Sequence, residues 1–166
     1  MIISFVVAAA NNNVIGRNGQ LPWQLATDMK HFKNVTWGFP VIMGRKSFDS
    51  LGKALSGRKN IVITRQPDWS AEGTTVVRTL DEALAAVKAM DVKEAMIIGG
   101  GEIFKLASDR VSRIYLTRVD ADPDGDAYLS SIDPGEWKMI SRQDYKADAR
   151  NNYAFSFQTW EKKLAN

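Results

Sequence analysis

Short apolar runs rich in β-branched residues punctuate the chain at 2–10 (IISFVVAAA), 40–44 (PVIMG), 60–64 (NIVIT), 74–77 (TTVV), 95–100 (AMIIGG) and 113–119 (RIYLTRV). Several are apolar throughout rather than alternating, which predicts strands covered on both faces, as in a mainly parallel sheet. Between them, apolar residues three and four apart predict helices over 25–35, 45–51, 79–90 and 102–108. Thr79, with Glu82 three residues on, is a capping-box start for the third. After residue 135 the pattern changes. EWKMISRQDY (136–145) and NYAFSFQTWEKK (152–163) alternate polar and apolar positions, which predicts an antiparallel hairpin. Strand alternating with helix requires right-handed crossovers. The expected fold is therefore α/β: a mainly parallel central β-sheet with flanking helices and a C-terminal antiparallel hairpin at one edge. With no internal repeat or low-complexity tract, one domain over 1–166 is expected.

The segment LPWQLATDMKHF (21–32) breaks its own pattern. A helix beginning near Leu25 places Leu25, Met29, Phe32 and Val35 on one side and Lys30, Lys33 and Asn34 on the other. Asp28 falls inside the apolar stripe, beside Phe32 and Val35. An acid there either complements the helix N-terminus, as a cap or a first-turn charge, or faces a site that the helix covers.

Composition narrows the choices. The 166 residues are 45% hydrophobic and 25% charged, as in an ordinary globular domain. The net charge of +3 is dispersed, the tightest groups being GRK at 57–59 and EKK at 161–163, which disfavours a nucleic-acid stripe and suits a small anionic ligand. Without cysteine there is no disulfide, thiolate nucleophile or zinc-thiolate centre. The one histidine, His31, lies toward the polar side of the first helix and reads as a solvated surface residue, so no triad or multi-histidine metal centre can be built. DADPDGDAY (120–128) lacks the calcium-loop spacing and reads as a solvated acidic turn; no metal is expected. No basic residue precedes the apolar N-terminal run, so it reads as a buried strand rather than a signal peptide, and nothing approaches a membrane span. A cytoplasmic monomer is expected.

Three stretches suggest a cofactor. IIGGGEIF (97–104) runs from a strand into a helix, either cradling a phosphate on helix amides or simply turning tightly; Phe104 occupies the third glycine position of a dinucleotide fingerprint. Arg45 with Lys46, and Arg65, follow buried strands directly, where ligands of open α/β sheets bind. Two arginines with no acid in either segment suit a phosphorylated ribose, NADP more than NAD. Residues 10–24 form a long connection, the kind that commonly covers a site, and Trp23 within it either shields Asp28 or simply packs.

Taken in order, VVAAANNNVIG (6–16), LPWQL with an acid five residues after the tryptophan, PVIMGRKSFDSLG (40–52), LSGRKNIVITR (55–65), MIIGGGEIF (96–104) and YLTRVDADPDGD (115–126) resemble dihydrofolate reductases of the bacterial type over essentially the whole chain. The resemblance implies NADPH as cofactor, 7,8-dihydrofolate as substrate and antifolates as inhibitors. It implies that Asp28 bonds the amino-pyrimidine edge of the pterin, buttressed by Thr117, that Trp23 holds a water nearby, and that Leu21 belongs to a loop closing over the nicotinamide. Phe32, Leu51, Leu55 and Ile98 would wall the substrate, Val7 would adjoin it, and Arg58 would take its glutamate carboxylate. Ala8 and Ile15 would bracket the nicotinamide, with Gly16 beside them. Gly44, Arg45, Lys46, Ser47, Thr64 and Arg65 would line the cofactor phosphates. Gly99 and Gly100 would turn beneath the pyrophosphate through a cis peptide, with Gly101, Glu102, Ile103 and Phe104 continuing that wall. Three positions depart from the family pattern: Ala26 where proline is frequent, Phe104 where tyrosine is common, and Glu102 where some members place an arginine.

The same resemblance gives Asp28 its chemistry. Hydride reaches an imine carbon readily only when the adjacent nitrogen is protonated. A carboxyl whose pKa burial has raised can supply or relay that proton, and the chain offers no histidine for the task.

Overall fold

The computed structural model describes residues 1–164; the last two residues of the 1–166 span lie outside the described residues. The elements run β1 (Ile2–Ala10), β2 (Val14–Gly16), α1 (Ala26–Thr36), β3 (Val41–Gly44), α2 (Arg45–Leu51), β4 (Asn60–Ile63), β5 (Thr74–Val77), α3 (Leu80–Lys88), β6 (Glu94–Gly99), α4 (Gly101–Leu106), β7 (Arg113–Val119), β8 (Ala127–Tyr128), β9 (Trp137–Tyr145) and β10 (Phe155–Lys162). Eight strands form one sheet in the order β5-β4-β3-β6-β1-β7-β10-β9. All neighbours from β5 to β7 are parallel, and β10 and β9 add an antiparallel edge. This is the predicted architecture, with β1 and β7 at the predicted bounds.

Because strand side chains alternate, the central parallel strands feed two cores. Phe5, Ile42, Ile61, Ile97 and Leu116 face the side covered by α3 and α4, where Ala83, Val87, Ile103 and Phe104 pack on them. Val6, Val41, Met43, Val62 and Met96 face the other side, beneath Phe32, Val35 and Leu55. The parallel strands all terminate at one edge of the sheet, so Ala10, Gly44, Ile63, Gly99 and Val119 end along it. At the opposite edge Glu94 accepts from Ser4 Oγ at 2.6 Å and Tyr115 Oη at 2.9 Å, with Arg113 at 3.6 Å, so this buried carboxylate joins β1, β6 and β7. None of the described helices is long and apolar enough to cross a membrane.

Three local expectations change. The connection at 10–24 contains β2, which pairs with β8 from the stretch read as a solvated turn; each strand is too short to show a period of its own. The third helix ends at Lys88, three residues before Asp91, which takes a left-handed φ of 52°. His31 is half-buried, its imidazole stacked on Phe157 at 3.7 Å, because the hairpin wraps against the outer flank of α1.

Candidate active site

The start of α1 is set from a distance. Leu25 occupies the N-cap position and provides no side-chain cap. Asn151, from the turn between β9 and β10, does so instead: its Oδ1 accepts from Thr27 N at 3.1 Å and its Nδ2 donates to Thr27 Oγ1 at 3.0 Å. Ala26 N donates to Arg150 O at 3.2 Å, a bond that proline, lacking the N–H, could not make, so the departure at Ala26 is put to use. With this start, the face turned to the sheet runs through Asp28, Phe32 and Val35. Met29, expected on that face, is 73% exposed, because it lies one helical step of about 100° beyond Asp28.

Asp28 is partly buried, and Thr117 Oγ1 on β7 donates to its Oδ1 at 2.6 Å. Burial pushes the Asp28 carboxyl above its ordinary range, and the threonine bond opposes that shift only in part. Trp23 is 5% exposed, packed with Leu25, Val14 and Phe155, and its Nε1 has no hydrogen-bond partner among the described residues. A buried donor of this kind calls for an acceptor such as water.

The predicted apolar walls divide. Phe32, Leu55 and Ile98 gather on the α1 side of the sheet. Val7 points to the other side, into the α3–α4 core, so only its backbone can adjoin that group. Leu51, at the end of α2, and Leu21, in the loop, are 42% and 56% exposed and join no buried cluster. Arg58 is anchored rather than loose: Nε donates to Ser56 O at 2.8 Å and Nη1 to Thr36 Oγ1 at 3.0 Å.

The cofactor-side residues meet where β3 and β6 end together, with Met43 registered against Gly99. The Gly99–Gly100 peptide is cis, as the resemblance implied. Backbone here lies tight against side chains. A Cβ on Gly44 would sit 3.2 Å from Ile103, one on Gly99 3.2 Å from Phe104, and one on Gly100 3.1 Å from Ser47 Oγ. Phe104 is buried and meets Phe5 edge-on at 4.9 Å, an apolar seat that needs no hydroxyl. Arg45 Nη1 pairs with Asp49 at 2.6 Å; Lys46, Arg65 and Glu102 are exposed nearby, and Thr64 is buried. Ile15 packs against the α3–α4 core, while Ala8 adjoins the Trp23 cluster. Gly16 O accepts from Asp126 N at 3.0 Å, and Asp126 Oδ2 accepts from Asn18 N at 2.9 Å.

One participant escaped the sequence reading. Arg118, half-buried on β7, donates through Nη1 to Ala10 O at 2.7 Å and Asn13 Oδ1 at 2.9 Å, which ties the end of β1 to the loop that follows. A lone arginine within the apolar run RIYLTRV was the available signal.

Comparison with known proteins identifies the family. The dihydrofolate reductase family model matches residues 2–162. Dihydrofolate reductase type 3 of Salmonella typhimurium is 45% identical over 159 residues, covering 96% of this chain and 97% of that protein. Dihydrofolate reductase of Bacillus subtilis is 36% identical over 162 residues, covering 98% and 95%. The structure of the Enterococcus faecalis enzyme complexed with NADP(H) and RAB-propyl superposes with a TM-score of 0.90 at 30% identity, covering 98% of this chain and 97% of that one. Matched by the family model over residues 2–162 and by relatives along nearly its whole length, the chain belongs to the dihydrofolate reductase family of oxidoreductases.

Proposed function

We propose that the chain reduces 7,8-dihydrofolate to 5,6,7,8-tetrahydrofolate with NADPH, and that Asp28 manages the proton this reduction consumes. The observation that carries the reading is the Thr117–Asp28 pair at 2.6 Å, an acid with raised pKa on the sheet-facing side of α1. NADPH, when bound, supplies the hydride; the substrate nitrogen next to the reduced carbon takes the proton. The chain's share is alignment, exclusion of bulk water and electrostatics. Asp28 bonds the amino-pyrimidine edge while Thr117 fixes its rotamer, and Trp23 Nε1 holds a water through which the proton travels. Phe32, Leu55 and Ile98 receive the ring systems, with Leu21 and Leu51 closing from the exposed side and Val7 contributing backbone.

Arg58 receives the glutamate carboxylate in the paired geometry to which a planar guanidinium is suited. On the other side, the close-packed backbone at Gly44 and Gly99–Gly101 admits a pyrophosphate. Ser47, Thr64, Arg45, Lys46 and Arg65 supply hydroxyls and positive charge, and Ala8, Ile15 and Gly16 line the nicotinamide end. Glu102 shifts the cation work onto the two arginines. The same Asp28 edge suits antifolates bearing an amino-pyrimidine. We infer a cytoplasmic monomer, the simplest state for a cleft built within one chain.

The test follows NADPH absorbance with purified protein and dihydrofolate. Asp28→Asn should lower turnover at neutral pH by about a hundredfold or more, the range of a positioned proton donor. Part of the rate should return in acid, where solvent protonates the substrate. Unchanged neutral-pH turnover in that variant refutes the role of Asp28.

A further inference from the structure

Trp37 poses a question that the reaction does not answer: a large aromatic at the end of α1 that stays 50% exposed. It is nevertheless held. As the C-cap residue, its N–H donates to Lys33 O at 2.9 Å, and its six-membered ring packs so closely on Gly57 that a Cβ there would collide with Cη2, Cζ2 and Cζ3. Gly57 also has a φ of 73°, and its carbonyl accepts from Gly38 N at 3.0 Å, so the turn bearing Arg58 is fastened to the turn bearing Trp37. Two cations flank the indole, Arg58 Cζ at 5.5 Å and Lys33 Nζ at 5.3 Å from the ring centroid.

We propose that Trp37 is a positioning residue that aims the Arg58 guanidinium and thereby sets the preference for substrates carrying a carboxylate. The proposal rests on the reading that Arg58 binds the substrate carboxylate. Ser56 O and Thr36 Oγ1 engage Nε and Nη1 of Arg58. The indole adds a third restraint, a cation–aromatic contact with Arg58 Cζ 5.5 Å from the ring centroid, so less freedom remains to be lost when a carboxylate arrives. Lys33 on the same ring steadies the indole.

The experiment measures KM and kcat for dihydrofolate and for a 7,8-dihydropterin without the aminobenzoyl-glutamate. The proteins are the wild type, Trp37→Leu, Trp37→Phe and Gly57→Ala, with Trp37→Leu also placed in an Arg58→Gln background. Trp37→Leu should raise KM for dihydrofolate about fivefold, as loss of an exposed cation–aromatic contact implies, with kcat within about twofold. KM for the dihydropterin should not move. Trp37→Phe should stay within about twofold of wild type, and Gly57→Ala, which pushes the ring away, should behave like Trp37→Leu. Once Arg58 is glutamine, Trp37→Leu should add nothing. The proposal is overturned if Trp37→Leu leaves KM for dihydrofolate unchanged while Arg58→Gln raises it, or if both substrates weaken alike. An Arg58→Gln variant with wild-type KM overturns the reading of Arg58 itself and the proposal with it.

Discussion

Asp28 holds a carboxylate where its surroundings penalise charge, and stability must register the conflict. Its folded-state pKa lies above the unfolded value of about 3.9, because burial outweighs the Thr117 bond. The folded protein therefore holds this proton more tightly than the unfolded chain does. Stability from this group is full below the unfolded value and is lost as pH rises through the folded one. Asp28→Asn removes the cost, so the variant should melt higher than wild type at pH 7, and the difference should vanish near pH 3, as thermal scans at both values will show. A higher Tm with lower turnover would mark the acid as a residue kept for chemistry against stability. His31 runs the other way. Burial lowers its pKa, so stability is full above the ordinary imidazole value of about 6.5 and falls as pH drops below it. His31→Phe, which keeps a ring against Phe157, should flatten the stability profile below about pH 6.5, read by denaturant titration.

At the scale of elements, α1 shows why part of the structure was legible and part was not. Its face and the misfit of Asp28 follow from local spacing, and the buried strands follow from β-branched runs. The cap does not, because Asn151 lies 124 residues from Thr27 and no local pattern links them. The same holds for β2 and β8, whose pairing spans the molecule, and for His31, whose stacking partner lies on β10. Phe32, Leu55 and Ile98, grouped only by the family resemblance, lie on one side of the sheet, whereas the side to which Val7 points depends on strand register, which no spacing reveals. Caps of the two kinds can be compared directly. Thr79 Oγ1 accepts from Glu82 N at 3.1 Å within α3, remote from the cleft. Thr79→Ala should cost about 1 kcal/mol and leave kinetics untouched. Asn151→Ala should cost about 1–2 kcal/mol and also reduce kcat, because the start of α1 carries Asp28. Urea unfolding beside steady-state rates distinguishes the two.

Across the whole molecule, the candidate site residues come together because parallel strands end together and the two cores hold those ends at fixed spacing. Amide exchange should be slowest in β1, β6 and β7, which have strands on both sides and the Glu94 cluster at their far edge. It should be fastest in β5 and β9, each with one open side. The position of β1 has a temporal consequence as well. β1 is translated before both of the strands it lies between, which end at residues 99 and 119. The nascent chain must therefore keep this nine-residue, mostly apolar stretch from associating wrongly until residue 119 has been added and both partner strands exist.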